Sequence, residues 1–187
     1  GLRERQRVRD IFGRYVGAEV AQRALEERPE LGGEDRKVAV LFIDVIGSTT
    51  FAVNHTPEEV VEELNKFFEH VVEVVHRNKG IINKFQGDAA LAVFGAPLTV
   101  YDANSMALQA ARELRQELRG LQLQAGIGVA AGHVVAGHIG GADRFEYTVI
   151  GDAVNEAARL TELAKDTPGQ VLTNSCLLYT SPSPRDK

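Results

Sequence analysis

The chain has 187 residues, of which 44% are hydrophobic and 25% charged, a balance typical of a globular protein with enough apolar residues to form a core. Its formal net charge of −5 excludes strong non-specific attraction to nucleic acid or to an anionic membrane. The single cysteine, Cys176, excludes an internal disulfide and is compatible with a reducing compartment. We find no run of about 18 apolar residues and so predict no membrane-spanning helix.

Residues 2–27 are predicted to form a helix, because apolar residues fall near helical spacing among alternating arginine and glutamate residues. Two interpretations remain open: a solvated helix that packs on the domain, and a segment that transmits a signal from an upstream sensor. Residues 29–34 have the composition of a linker, so residues 1–35 are predicted to precede the folded domain. The chain starts at Gly1 without a signal-peptide pattern, and we expect a sensor or membrane region of a longer protein to precede it.

The first predicted strand covers residues 37–42, a short apolar run that places Asp44 at its C-terminal end. A helix is predicted from Thr56, whose side chain caps it, and Glu59 completes a capping box. That helix is predicted to end at Gly80, which supplies a left-handed cap.

Two apolar runs, residues 81–86 and 89–94, are predicted to form a hairpin. Gly87 and Asp88 separate them, and glycine as the first residue of a two-residue turn is typical of type II′. Asp88 is therefore expected at an exposed hairpin tip. A second helix is predicted over residues 102–118.

The remaining pattern is strand, arm, helix and strand. It predicts a strand over residues 121–129, a hairpin arm over 134–139 and 144–147, a helix over 152–164 and a strand over 170–173. This order favours an α+β fold with a ferredoxin-like, palm-like core, in which helices pack on a mostly antiparallel sheet.

Residues 175–187 differ from the rest of the chain. They show no apolar period, and the run 181–184, Ser-Pro-Ser-Pro, is typical of disorder. We therefore predict a folded domain over residues 36–174, followed by a disordered, non-native tail.

Two acidic residues are predicted to meet at one end of the sheet. Asp44 ends the first strand and Asp88 lies at the hairpin tip, so pairing of the hairpin with that strand would bring both carboxylates together. A divalent cation relieves the repulsion between such groups, and Mg²⁺ is commonly held by one or two carboxylates together with substrate phosphates. Gly47, Ser48 and Thr49 follow directly, and small residues let backbone N–H groups approach a polyphosphate. The alternative for each aspartate alone is a turn residue.

Asn155 and Arg159 are four residues apart on the third predicted helix of the domain, so they share one face. The planar guanidinium of arginine matches phosphate oxygens. The alternative is an exposed polar pair on a surface helix, but the small and apolar neighbours favour two polar groups placed against a packed background.

Three segments together resemble the motifs of the class III adenylate and guanylate cyclases. They are residues 42–49, 84–95 and 146–160, in the order of the family. The resemblance extends over the whole predicted domain, residues 36–174.

The resemblance implies that Asp44 and Asp88 bind two divalent cations, Mg²⁺ or Mn²⁺, with the backbone carbonyl of Val45 assisting. It also implies substrate contacts from the segment that follows, namely Ile46, Gly47, Ser48 and Thr49.

The base-selecting positions of the family are occupied here by Lys84 and Thr148. Lys84 would donate to adenine N1 and Thr148 would accept from the 6-amino group, whereas a guanine-selecting site would need an acid at position 84. Many members carry aspartate in place of Thr148, and the Lys/Thr pair resembles a subgroup that includes bicarbonate-responsive cyclases. Asn155 would orient the ribose, and Arg159 would stabilise the charge that develops on the phosphate.

The implied activity is the conversion of ATP to cyclic AMP and pyrophosphate, in intracellular signalling and in the cytoplasm. In this family one protomer supplies the metal-binding aspartates, and the other supplies the base-selecting and transition-state residues. This chain carries both sets, which implies a head-to-tail homodimer with two sites. By motif spacing, a further lysine that binds the triphosphate in this family would fall beyond Lys187, so we expect the last strands of the domain to be absent.

The sequence argues against three other functions. A degenerate cyclase-homology domain used for dimerisation or regulation usually lacks a metal aspartate or the Asn/Arg pair, and both are present here. A guanylate cyclase is disfavoured by Lys84. A diguanylate cyclase has a Gly-Gly-Asp/Glu-Glu-Phe turn, where this chain has Gln-Gly-Asp-Ala at residues 86–89.

A weak dinucleotide-binding pattern at residues 126–131 lies inside a predicted strand and opens no helix, so we reject it.

Overall fold

A computed structural model describes residues 32–141, 144–167 and 170–174 of the chain. The predicted helix over residues 2–27 and the predicted tail over residues 175–187 lie outside the described residues. No helix within the described ranges is long and apolar enough to cross a membrane.

The described residues form six strands and four helices. In chain order they are β1 (Gly32–Ile46), α1 (Ser48–Asn54), α2 (Pro57–Arg77), β2 (Ile81–Gln86), β3 (Ala89–Phe94), α3 (Ala103–Leu118), β4 (Gln124–Gly141), β5 (Arg144–Ile150), α4 (Asp152–Ala164) and β6 (Val171–Thr173).

The strands form one sheet in the order β2-β3-β1-β4-β5, and β6 pairs with β4 beside this path. β1 is antiparallel to both β3 and β4, whereas β6 is parallel to β4. Strands β1 to β4, connected by α2, the hairpin and α3, have the order of a ferredoxin-like core. The prediction of an α+β fold with a mostly antiparallel sheet is confirmed.

The sheet is covered on both faces, because successive residues of a strand point to opposite sides. Leu41 and Ile43 of β1 pack in the main core with buried residues of α2 and α3. Val40 belongs to a second apolar cluster on the other face, together with Ala153 and Ala157 of α4. We call this cluster the α4 layer.

α4 lies close to β4 because two residues of that strand have no side chain. A Cβ added to Gly126 would lie 2.6 Å from the Thr161 carbonyl oxygen, and one added to Gly128 would overlap the Ala157 carbonyl oxygen. The Thr161 hydroxyl is within hydrogen-bonding distance of two carbonyl oxygens, that of Ala157 at 2.7 Å and that of Phe42 in β1 at 3.2 Å. The glycines that superficially matched a dinucleotide-binding pattern therefore serve helix packing.

The ladder between β1 and β4 is longer than predicted. β1 begins at Gly32 rather than at residue 37, so residues 32–34 of the predicted linker belong to it. β4 is continuous over Gln124–Gly141, where two elements were predicted over 121–129 and 134–139. The two strands pair over all 15 residues of β1. This pairing stabilises as strand the charged start of β1 and the glycine-rich end of β4, which local propensity assigns to loops.

Two features of the helices also differ from prediction. α1 had not been predicted, since it has only 7 residues and no clear apolar period. The capping box of Thr56 and Glu59 is confirmed at the start of α2, but the left-handed residue after this helix is Lys79, with φ of 64°, and not Gly80. Gly80 is required by a close contact instead, because a Cβ there would lie 2.6 Å from the Phe94 ring.

Gly128→Ala is expected to lower the free energy of unfolding by about 1–3 kcal/mol, because the added methyl group must push α4 away from β4. Gly120→Ala is the matched control, since the nearest atom to a Cβ there is the Glu117 carbonyl oxygen at 3.9 Å. Urea unfolding followed by circular dichroism measures both variants. A Gly128→Ala protein as stable as wild type would contradict the close packing of α4 on β4.

Candidate active site

The two predicted metal-binding aspartates lie at the same end of the sheet. Asp44 is opposite Ala89 in the ladder between β1 and β3, and the Val45 amide donates to the Asp88 carbonyl oxygen at 3.2 Å. Gly87 has φ of 60°, as a primed hairpin turn requires of its first residue. The structure therefore brings Asp44, Val45 and Asp88 together.

The predicted phosphate-contacting segment lies next to these acids. Ile46 is the last residue of β1, Gly47 turns the chain with φ of 66°, and Ser48 and Thr49 lie in the first turn of α1. Gly47 and Thr49 are exposed. The small residues thus connect the end of β1 to the start of α1 on an open surface.

Lys165, a residue outside the predicted site, contacts Asp44 directly. Its Nζ lies 2.9 Å from Asp44 Oδ2 and 2.9 Å from Glu162 Oε1. The side chains of Lys165 and Asp44 are only 21% and 19% exposed. The Lys165 stem passes over Gly126, where an added Cβ would lie 2.8 Å from Lys165 Cγ. No local signal could have revealed this pair, because its members are 121 residues apart.

Opposing influences act on the Asp44 carboxyl. Its pKa is raised above 3.8 mainly by burial, and the negative charge of Asp88 raises it further. The hydrogen bond and the positive charge of Lys165 oppose this rise. The carboxyl is thus partly desolvated, close to a like charge and partly neutralised by a lysine. A divalent cation would likewise favour the charged form of this carboxyl.

The two predicted base-selecting residues lie on strands that are not neighbours in the sheet. Lys84 is on β2 and Thr148 is on β5, at the two ends of the five-strand path. The Asn83 side-chain amide nevertheless donates to the Tyr147 carbonyl oxygen at 2.9 Å. This bond brings together the segments of β2 and β5 that carry Lys84 and Thr148.

Asn155 and Arg159 are exposed residues of α4. They lie one helical turn apart, on the side away from Ala153 and Ala157, which are buried against the sheet. An α-helix rises about 1.5 Å per residue, so Asn155 is about 15 Å along the helix axis from Lys165. Because Lys165 contacts Asp44, the structure does not bring Asn155 to the aspartates of the same chain.

Residues 33–179 match the family described as "Adenylate and Guanylate cyclase catalytic domain". The chain belongs to this family. Its structural neighbours are adenylyl and guanylyl cyclases, as the sequence motifs had indicated.

Curated relatives of this cyclase domain are longer proteins. An uncharacterized protein of Mycobacterium tuberculosis strain H37Rv is 56% identical over 177 residues, which cover 94% of this chain and 33% of the relative. Another from the same strain is 55% identical over 181 residues, which cover 96% and 34%. This chain therefore spans about a third of the length of these relatives.

Solved structures include cyclases of both substrate types. The guanylyl cyclase Cya2 is 33% identical with a TM-score of 0.69 and 82% of each chain covered. The adenylyl cyclase CyaB from P. aeruginosa is 27% identical with a TM-score of 0.67, covering 80% of this chain and 82% of that one. A bacterial light-regulated adenylyl cyclase shares the fold, with 23% identity and a TM-score of 0.82 over 97% of this chain and 56% of that chain. These likenesses establish a cyclase domain without choosing between ATP and GTP.

Lys165→Met is expected to raise the pKa of Asp44 in the cyclase domain above its wild-type value, because the substitution removes the cation that lowers it. NMR titration of the Asp44 carboxyl carbon measures the pKa directly. Lys66→Met is the matched control, since Lys66 pairs with Glu62 and Glu63 on α2. An Asp44 pKa that is unchanged in Lys165→Met would contradict the ion pair.

The raised pKa of Asp44 in the wild-type protein also predicts how stability changes with pH. The pKa of Asp44 is higher in the folded than in the unfolded protein. The contribution of Asp44 to the free energy of unfolding is therefore fully present below the unfolded pKa and is lost as pH rises through the folded pKa. Asp44→Asn cannot ionise, so its free energy of unfolding should rise relative to wild type over that interval. Parallel curves for the two proteins in urea unfolding at a series of pH values would argue against a raised pKa.

Proposed function

We propose that this domain is an adenylate cyclase that converts ATP to 3′,5′-cyclic AMP and pyrophosphate in intracellular signalling. The family membership supports cyclase chemistry. The observation that carries the choice of ATP is the lysine at position 84, a hydrogen-bond donor on β2, whose strand segment the bond between Asn83 and Tyr147 brings near that of Thr148. Lys84 is then a donor for adenine N1 and Thr148 an acceptor for the 6-amino group.

Asp44, Asp88 and the carbonyl of Val45 are the residues that would hold divalent cations. Their donors are hard oxygens, as Mg²⁺ or Mn²⁺ requires. The pKa of Asp44 is raised mainly by burial and further by the negative charge of Asp88, and a bound cation would offset both effects. Within the described ranges no cluster of three or more histidine, cysteine, aspartate or glutamate side chains could hold a metal, so further ligands would come from water and triphosphate. Bound cations would lower the pKa of the ribose 3′-hydroxyl and clamp the triphosphate.

The other residues act on the substrate itself. The 3′-hydroxyl gives up its proton to solvent, its oxygen bonds to the α-phosphorus, and the bond from the α-phosphorus to the bridging oxygen breaks to release pyrophosphate. Asn155 orients the ribose for this attack. Arg159 directs its guanidinium at the charge that grows on the phosphate oxygens, where a fixed donor acts most strongly in the transition state. The backbone of residues 46–49 contacts the triphosphate beside Asp44.

A head-to-tail homodimer is the assembly that completes the site. Lys165 holds Asp44 at the C-terminal end of α4, about 15 Å along the helix from Asn155. One chain therefore supplies Asp44 and Asp88 to a nucleotide, and a second copy supplies Lys84, Thr148, Asn155 and Arg159. Two equivalent sites follow from the two-fold symmetry.

The longer relatives support a parent protein in which other regions, such as a sensor or membrane segment, regulate this domain. ATP and magnesium are cytoplasmic, so we place the domain there.

GTP is the second candidate substrate, since the guanylyl cyclase Cya2 is 33% identical to this chain. Lys84 argues against it, because a lysine cannot accept the guanine N1–H. Incubation of purified protein with ATP or GTP and Mn²⁺, followed by chromatography of the cyclic product, separates the two. A protein that forms cyclic GMP but no cyclic AMP would overturn the adenylate assignment.

Arg159→Ala is expected to lower kcat for cyclic AMP formation about a hundredfold or more, since removal of such a donor costs about 2.7–4 kcal/mol of barrier. Arg112→Ala is the control, because Arg112 is an exposed arginine on α3, outside the proposed site. Both variants are compared with wild type after their oligomeric state has been checked by sedimentation. Full activity in an Arg159→Ala dimer would remove Arg159 from the mechanism.

The shared site predicts complementation between inactive variants. Asp44→Asn and Arg159→Ala should each be nearly inactive, whereas an equal mixture should recover about a quarter of wild-type activity, because half of the dimers then contain one intact site. A mixture of Asp44→Asn with Asp88→Asn is the control, since both variants damage the same half of the site. Equal activity in the two mixtures would refute the shared site.

A further inference from the structure

β2 contains one residue too many for a regular ladder with β3. Ile82 is opposite Ala92, and the next paired residue, Lys84, is opposite Leu91. Asn83 therefore has no partner in the ladder and forms a β-bulge.

The bulge determines which face of the sheet Lys84 occupies. In an uninterrupted strand, Ile82 and Lys84 would share a face, and Ile82 belongs to the main core beneath α2 and α3. Residues opposite each other in a ladder also share a face, and Leu91, opposite Lys84, belongs to the α4 layer. The extra residue thus places Lys84 on the same side of the sheet as α4, because a shift of one residue exchanges the two faces.

Asn83 also links β2 by a hydrogen bond to Tyr147, a residue of β5 whose position is set by packing. The Tyr147 side chain packs against the α4 layer, and burial raises the pKa of its hydroxyl to about 12. The Tyr147 carbonyl oxygen accepts the hydrogen bond of the Asn83 amide at 2.9 Å. Lys84 and Thr148 are the next residues along the chain from the two partners of this bond.

We propose that Asn83 is a positioning residue for purine selection, which sets the spacing between Lys84 and Thr148. The inference rests on the proposed adenylate cyclase activity. β2 and β5 share no ladder, so the bond from Asn83 restrains their separation at the point where both base-selecting residues lie. Adenine needs a donor facing N1 and an acceptor facing the 6-amino group at a fixed spacing, and a shift of β2 relative to β5 changes that spacing directly.

The test is the ratio of kcat/KM for ATP to kcat/KM for GTP in Asn83→Leu and Asn83→Ala, measured on dimeric protein with Mn²⁺. Both variants lose the donor. Asn83 is half-buried, and leucine has a branched side chain of similar shape, so Asn83→Leu serves if Asn83→Ala does not fold. We expect the ratio to fall about ten- to a hundredfold, with most of the change in KM for ATP. Asn65→Leu is the matched control on the exposed surface of α2, and it should leave the ratio unchanged.

The outcomes separate this inference from the function on which it rests. A fall in the ratio, with Asn65→Leu unchanged, supports the positioning role. Equal losses with both nucleotides would mean that Asn83 is only structural, and an unchanged variant would mean that the bond is not needed; either result overturns the inference while the adenylate assignment stands. A wild-type protein with no preference for ATP would overturn both.

Discussion

The contact between α4 and the strands β1 and β4 is the constraint on which the rest of the structure depends. It requires Gly126 and Gly128, because a side chain at either position would meet the α4 backbone or Lys165. Thr161 then reaches the Phe42 carbonyl oxygen, and Lys165 reaches Asp44. The helix that carries the proposed ribose and phosphate residues is therefore held in place by the strand that carries the proposed metal ligand.

This arrangement divides the proposed site between the two ends of one helix. Near the end of α4, Asp44 and Asp88 form an acidic pair with Lys165 beside it. Asn155, near the start of the helix, lies on the outward side. The bond between Asn83 and Tyr147 links the segments of β2 and β5 that carry the two proposed base-selecting residues. Because α4 is held against β1 and β4, the two groups stay apart in one chain, and this separation is the basis of the proposed homodimer.

Ion pairs elsewhere in the domain differ from the one at the candidate site. Arg77 on α2 pairs with Glu113 and Glu117 on α3, but nearly half of its side chain is exposed (46%), and such pairs contribute little to stability. Lys165 and Asp44 are largely shielded, so their charges interact more strongly and desolvation costs more. An ion pair in this position affects the ionisation of a proposed ligand as well as the packing of α4.

The sequence by itself determined the α+β fold, the capped helix α2, the hairpin that carries Asp88, and the positions of the cyclase motifs, because these depend on local periodicity, turn chemistry and residue type. Only the tertiary structure decided the extent of β1 and β4, whose charged and glycine-rich ends are held by pairing with distant residues. It also decided the ion pair of Lys165 with Asp44 and the bond of Asn83 with Tyr147. Lysine and asparagine are common on protein surfaces, and their importance here comes from partners that only the folded chain brings within reach.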